Sequence, residues 1–158
     1  MSGIRSVKSS IGDFMPFLRE GKTSGGGVQQ IVTVPMGPPL LVDGATYKGV
    51  AFVAPCDGCQ IKELWYTASV AMAGGTDTLA IDNYDKSASA ARNVLSTSNI
   101  DPTGVTALKG TQLTLSSTAA NLLMDEGDVL NFTLVCGTMT TDGQGYALSA
   151  VVIVPDVN

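Results

Sequence analysis

Cys56-Asp57-Gly58-Cys59 is the constellation in this chain with the clearest capacity for chemistry. C-x-x-C spacing serves thioredoxin-like redox pairs and halves of zinc sites. A redox pair opens a helix after a strand, whereas Cys59 opens a second β-type run. A zinc site needs four ligands, and only the distant Cys136 remains. The pattern therefore predicts a tight Asp-Gly turn flanked by two thiols, with a short disulfide or an intersubunit metal as the other readings.

Acidic residues gather as Asp82 with Asp85 and as Asp125-Glu126 with Asp128. Oxygen clusters can hold Ca²⁺, and paired carboxylates run glycoside hydrolysis. The second group directly precedes a β-type run, where turn chemistry alone favours Asp and Gly, so solvated turns are expected. A glycosidase built on Asp82, Asp85 or Asp125 is the rival. Histidine is absent, which removes Ser-His and Cys-His nucleophiles and most transition-metal sites. Gly74-Gly75 and the glycines at 25–27 are not followed by a helix or by Gly-Lys-Ser/Thr, so they are hinges and turns rather than phosphate loops. No catalytic, cofactor-binding or metal-ligating residue is assigned, and no small-molecule substrate. Trp65, Tyr66, Tyr84 and Phe132 suit a sugar-stacking face or a sandwich core, and core packing is the expectation. Asn131-Phe132-Thr133 fits a glycosylation sequon but lies in a predicted strand.

The elements that must position these groups are short. β-branched and apolar runs at 28–34, 47–54, 60–70, 76–84, 112–115, 128–135 and 145–154 are separated by turn residues at intervals of roughly ten, the pattern of a sandwich or barrel of about eight strands. The run at 28–34 stops at Pro35, and the prolines at 38 and 39 make 36–42 an edge or a loop. The runs at 60–70 and 76–84 resemble a hairpin across Gly74-Gly75, and Ala-rich 87–96 is the one candidate helix. Residues 138–145 form the loop between the last two strands, with Asp142-Gly143 as its turn.

Residues 1–25 differ in character. They hold Arg5, Lys8, Arg19 and Lys22 against Asp13 and Glu20, whereas the rest of the chain carries five basic residues against twelve acidic ones. We expect an extended arm with its glycine linker over 1–27 and one β-sandwich domain over 28–158. The acidic body argues against nucleic acid as a partner, because phosphate binding relies on clustered Lys and Arg. No run approaches the roughly 18 to 20 apolar residues of a membrane span, and the first residues lack the apolar stretch of a secretory signal. Phe14-Met15-Pro16-Phe17-Leu18 is an apolar cluster in a polar segment, and burying it is favoured at about 25 cal/mol per Å². It is expected to dock on its own domain or on a neighbouring subunit.

Two stretches carry a resemblance. Ala54-Pro55-Cys-Asp-Gly58 leads through an apolar strand into Ala73-Gly-Gly-Thr-Asp-Thr-Leu-Ala-Ile81, and Glu126-Gly127-Asp128-Val129-Leu130 opens a later strand before the apolar run to Val154. Over about residues 47–154 this layout resembles the small β-sandwich virion proteins of tailed bacteriophages, particularly capsid decoration (cement) proteins. The resemblance implies an antiparallel jelly-roll-like sandwich, a homotrimer on the outer surface of the capsid, the major capsid protein as partner, and no catalytic residues or cofactor. The two thiols at the turn depart from that family's pattern. On this reading Arg5, Lys8, Arg19 and Lys22 meet an acidic shell surface, while Phe14, Phe17 and Leu18 fill an apolar pocket there or on a neighbour. The alternative is a receptor- or glycan-binding head module whose loops, such as 138–145, carry recognition.

Overall fold

The computed structural model describes residues 27–156. The described residues form nine strands: β1 Gly27–Pro35, β2 Thr46–Val53, β3 Cys59–Thr67, β4 Thr78–Asp85, β5 Ala90–Asn93, β6 Thr111–Gln112, β7 Leu123–Met124, β8 Val129–Val135 and β9 Ala147–Pro155. A 3₁₀ turn at Pro102–Gly104 and one helical turn at Ala119–Leu122 interrupt them. No helix among the described residues is long and apolar enough to cross a membrane.

The strands form two antiparallel sheets, ordered β1-β9-β3-β6 and β2-β8-β4-β5, with the two-residue β7 also pairing β3. Setting β7 aside, the first strand pairs with the last, the second with the one before it, the third with the sixth and the fourth with the fifth. Pairs β9–β3 and β8–β4 join these couples into sheets. That is the strand order of a jelly roll, in which a long folded-over hairpin wraps into two Greek keys. The all-β sandwich expected from the sequence is the observed fold.

Period-2 alternation places the core between the sheets. Leu130, Phe132 and Leu134 of β8 and Leu148, Ala150, Val152 and Val154 of β9 are buried. In β3 the alternation breaks once: Ile61 pairs Val152 and Glu63 pairs Val151, so Lys62 is an extra residue. This bulge keeps Ile61, Leu64 and Tyr66 all inward and turns Trp65 outward, where its indole N–H donates to Glu63 Oε2 at 2.8 Å.

Three sequence expectations change. First, β3 and β4 do not form a hairpin. β3 lies between β9 and the short β6 and β7, whereas β4 lies between β8 and β5, so residues 68–77 cross from one sheet to the other. Gly74 and Gly75 make that crossing with φ of +76° and +95°, pressed against residues 138–140. Second, Ala-rich 87–96 contains a strand, not a helix. A few alanines cannot offset helix nucleation, and β5 instead covers the open backbone of β4. The Asp85 carboxylate fixes the connecting turn by accepting from Ser87 Oγ, Ala88 N and Arg92. Third, Pro35 sits inside β1, paired with Ala147.

Candidate functional site

Among the described residues β1 and β2 are the outermost strands of their sheets, and they lie beside one another across the sandwich. Between the end of β1 and the start of β2 runs an open groove of about 580 Å³. Val34, Pro35 and Met36 form one wall, Tyr47 to Val50 the other, and Phe132 of β8 reaches it from the core. Gly49 stands opposite Phe132 in the ladder. A Cβ there would lie 2.5 Å from Phe132 Cζ, so the glycine makes room for the ring. Lys48 is the one charged residue in the lining, and no carboxylate faces it. Exposed apolar side chains surround this side of the body: Ile31 on β1 and Val50 and Val53 on β2 are each more than half exposed.

The residues assigned from the sequence to partner binding, Arg5, Lys8, Phe14, Phe17, Leu18, Arg19 and Lys22, lie outside the described residues. What the structure adds is the place where their segment joins the body, the start of β1 at Gly27.

The Cys56–Cys59 segment is the tight turn expected. Gly58 takes φ +82°, the sulfurs stand 4.0 Å apart, and both thiols are buried and free. Burial pushes the Cys59 thiol up to about 11, and burial with Asp77 and Asp43 nearby does the same to Cys136. A thiol held protonated at neutral pH is a poor nucleophile and a poor metal ligand. No three His, Cys, Asp or Glu side chains gather as a metal-holding group among the described residues.

The two stretches that carried the resemblance meet in space. Gly58 N–H donates to Met124 O, Ala54 N–H to Asp128 O, and Gly127 N–H back to Ala54 O. Asp57 Oδ1 accepts from Glu126 N at 2.7 Å. Asp128, nearly fully buried, accepts from Lys86 N and Asp125 N. These acids fasten turns to one another through backbone N–H groups. Asp82 and Asp85 do not act as a pair, because strand alternation sends Asp82 to the outer face and Asp85 inward to Arg92. Burial raises the Asp82 carboxyl above its usual value.

The aromatic residues divide rather than sharing a face. Tyr66 and Phe132 are in the core, Trp65 is on the outside of one sheet and Tyr84 on the outside of the other. Tyr146, which the sequence did not single out, is buried with its hydroxyl accepting from Met72 N at 2.9 Å and donating to Pro102 O at 3.3 Å, and burial pushes it up to about 12. Loop 138–145 is pinned to the body, with Asp43 Oδ1 accepting from Met139 N and Ala73 O from Thr140 N. The groove was also missed, although a glycine inside an apolar strand run, Gly49, and an uncharged run from 23 to 42 were visible signals. Comparison of the chain with family models, with curated proteins and with solved structures finds no match in any of the three.

Proposed function

We propose that this protein is a structural virion protein that binds the outer surface of a phage capsid and stabilises it by bridging capsomers, acting as a homotrimer with the major capsid protein as partner. The observation that supports this most is that a basic segment with an apolar cluster at 14–18 joins an acidic jelly roll directly at β1. Arg5, Lys8, Arg19 and Lys22 supply attraction to an acidic shell surface, and Phe14, Phe17 and Leu18 supply the anchors for an apolar pocket on the shell or a neighbouring copy. Each segment contact need contribute only a few kcal/mol, because linked copies raise one another's effective concentration. The chemistry of the body agrees with a structural role: Asp57, Asp85 and Asp128 serve turns, and burial raises the Cys59 and Cys136 thiols. Co-sedimentation with expanded phage shells tests the reading. Full-length protein should pellet with shells, and protein lacking residues 1–25 should stay in the supernatant with its thermal transition intact. Equal pelleting of both would remove the proposal.

A further inference from the structure

The backbone of β1 has one side with no strand beside it among the described residues, and the ladder shows which groups stand there. Met36 N–H donates to Tyr146 O at 2.9 Å, one step beyond the Pro35–Ala147 pair. Bonded and non-bonded pairs alternate in an antiparallel ladder, so Val34, Val32 and Gln30 bond to β9. Gln29, Ile31 and Thr33 turn their N–H and C=O groups to the open side. The far flank of β9 agrees: Leu64 O and Ala68 O accept from Leu113 N and Leu108 N, away from β9, which leaves Trp65–Ser149 as the bonded pair and points Leu148 and Ala150 at β1. Pro35 stands on the open side, where its missing N–H costs no bond to β9.

Exposed edges are normally protected by charge, a bulge or shortness. β2 carries Lys48 and an irregularity between Val50 and Phe52; β5 has four residues, and β6 and β7 have two each. β1 has nine residues in unbroken register and no charge, and its middle residue, Ile31, is 54% exposed. From Val28 to Val34 it is, among the described residues, a long edge without charge or bulge.

We infer that β1 pairs antiparallel with β1 of a second copy, across a two-fold axis at Ile31. Charge selects the occupant. Past residue 25 the chain carries five basic against twelve acidic residues, so two bodies repel wherever their acids face. Residues 23–42 are the longest run without a charged side chain, and β1 lies inside it. Geometry sets the register. With Ile31 opposite Ile31, Gln29 of each copy faces Thr33 of the other, and every residue in these pairs already points its backbone to the open side. A slip of one residue would oppose groups that are bonded to β9, and a slip of two shortens the overlap. The contact is isologous, as a two-fold requires, and joins the two five-stranded sheets into one. It provides a copy-to-copy link whether or not shells are bound, so it stands or falls separately from capsid binding.

Light scattering on the full-length protein, without shells, tests the inference. The expected mass is an even number of 16.2 kDa chains, which is six where the two-fold joins two of the homotrimers proposed above. Ile31→Lys sets two like charges opposite each other and should halve that mass while leaving the circular dichroism of the folded chain in place, since Ile31 is half exposed. Ile31→Cys places two thiols about 5.5 Å apart at Cα, whereas Gln29→Cys thiols stand about 14 Å apart, four strand steps. A bismaleimide shorter than that separation should link Ile31→Cys chains at least several-fold faster than Gln29→Cys chains, with the buried native thiols as a silent background. A mass of one or three chains overturns the inference, and one chain is the result expected if residues 1–26 cover the edge instead. An even mass that survives Ile31→Lys, or linking that favours Gln29→Cys, overturns it as well.

Discussion

Gly49→Ala is expected to destabilise this protein, although the same change at an uncrowded strand position helps. Where the backbone is ordinary, alanine for glycine stabilises by about 0.4–1 kcal/mol by restricting the unfolded chain. Gly49 is not among the residues with positive φ, so that gain applies. Against it, the new Cβ would meet Phe132 Cζ at 2.5 Å and Cε1 at 2.6 Å. Phe132 is 3% exposed, and the space open to its ring is the groove that it lines. Overpacking of this kind costs about 1–3 kcal/mol, so after the gain the net loss centres on about 1.3 kcal/mol. For a chain of this size that is a fall of about 3–5 °C in Tm. Thermal unfolding followed by circular dichroism should be run for Gly49→Ala alone and in a Phe132→Leu background. Leucine lacks the ring atoms, so alanine there should be neutral or stabilising, and the cycle should show a coupling of at least about 1 kcal/mol. An unchanged or raised Tm for Gly49→Ala alone, or the same loss in both backgrounds, would refute the assignment of Gly49 as the space for the ring.

Three further outcomes follow from the buried polar groups. Asp85→Ala removes the acceptor for Ser87, Ala88 and Arg92 and leaves the guanidinium only Ala120 O, so chemical denaturation should show a loss of about 2–4 kcal/mol, with Asp85→Asn recovering part of it. The folded-state pKa of Asp82 is raised by burial, so the folded chain holds its proton longer than the unfolded chain and stability falls as pH rises from about 3.8 through the folded pKa. Asp82→Asn should therefore raise Tm at pH 7 and have little effect at pH 3. Cys59, Cys136 and Tyr146 are all raised by burial, to about 11, 11 and 12, so stability should be level to pH 9 and then decline as pH climbs toward those values. A Cys59→Ala, Cys136→Ala variant with the same alkaline midpoint as the parent would assign the decline elsewhere.

Local pattern made much of the fold legible. β8 and β9 alternate because one face meets the opposite sheet, and that requirement is written residue by residue as Leu130, Phe132, Leu134 and Leu148, Ala150, Val152. The Asp57-Gly58 turn was legible for the same reason, since only glycine adopts φ +82° without strain. The bulge at Lys62 was not legible, because the extra residue shows only in the pairing of β3 with β9. Ala90–Asn93 was not legible. Its own preference is weak, and its strand state depends on the open edge of β4 beside it. Asp82 and Asp85 were close in sequence but opposite in facing, which becomes visible only once β4 is known to be a strand.

The amino-acid sequence alone determined the β class, the turn positions, the lack of imidazole chemistry and the contrast between a basic segment and an acidic body. These depend on single residues or on neighbours a few positions apart. Only the tertiary structure decided that β3 and β4 belong to different sheets, that two conspicuous turns brace each other, that a glycine and a phenylalanine on different strands shape a groove, and that β1 has no second strand beside it among the described residues. Each of those is a pairing between residues far apart in the chain. Every strand in a sandwich offers two backbone edges, and which edge closes on which is settled by the packing of all the strands together.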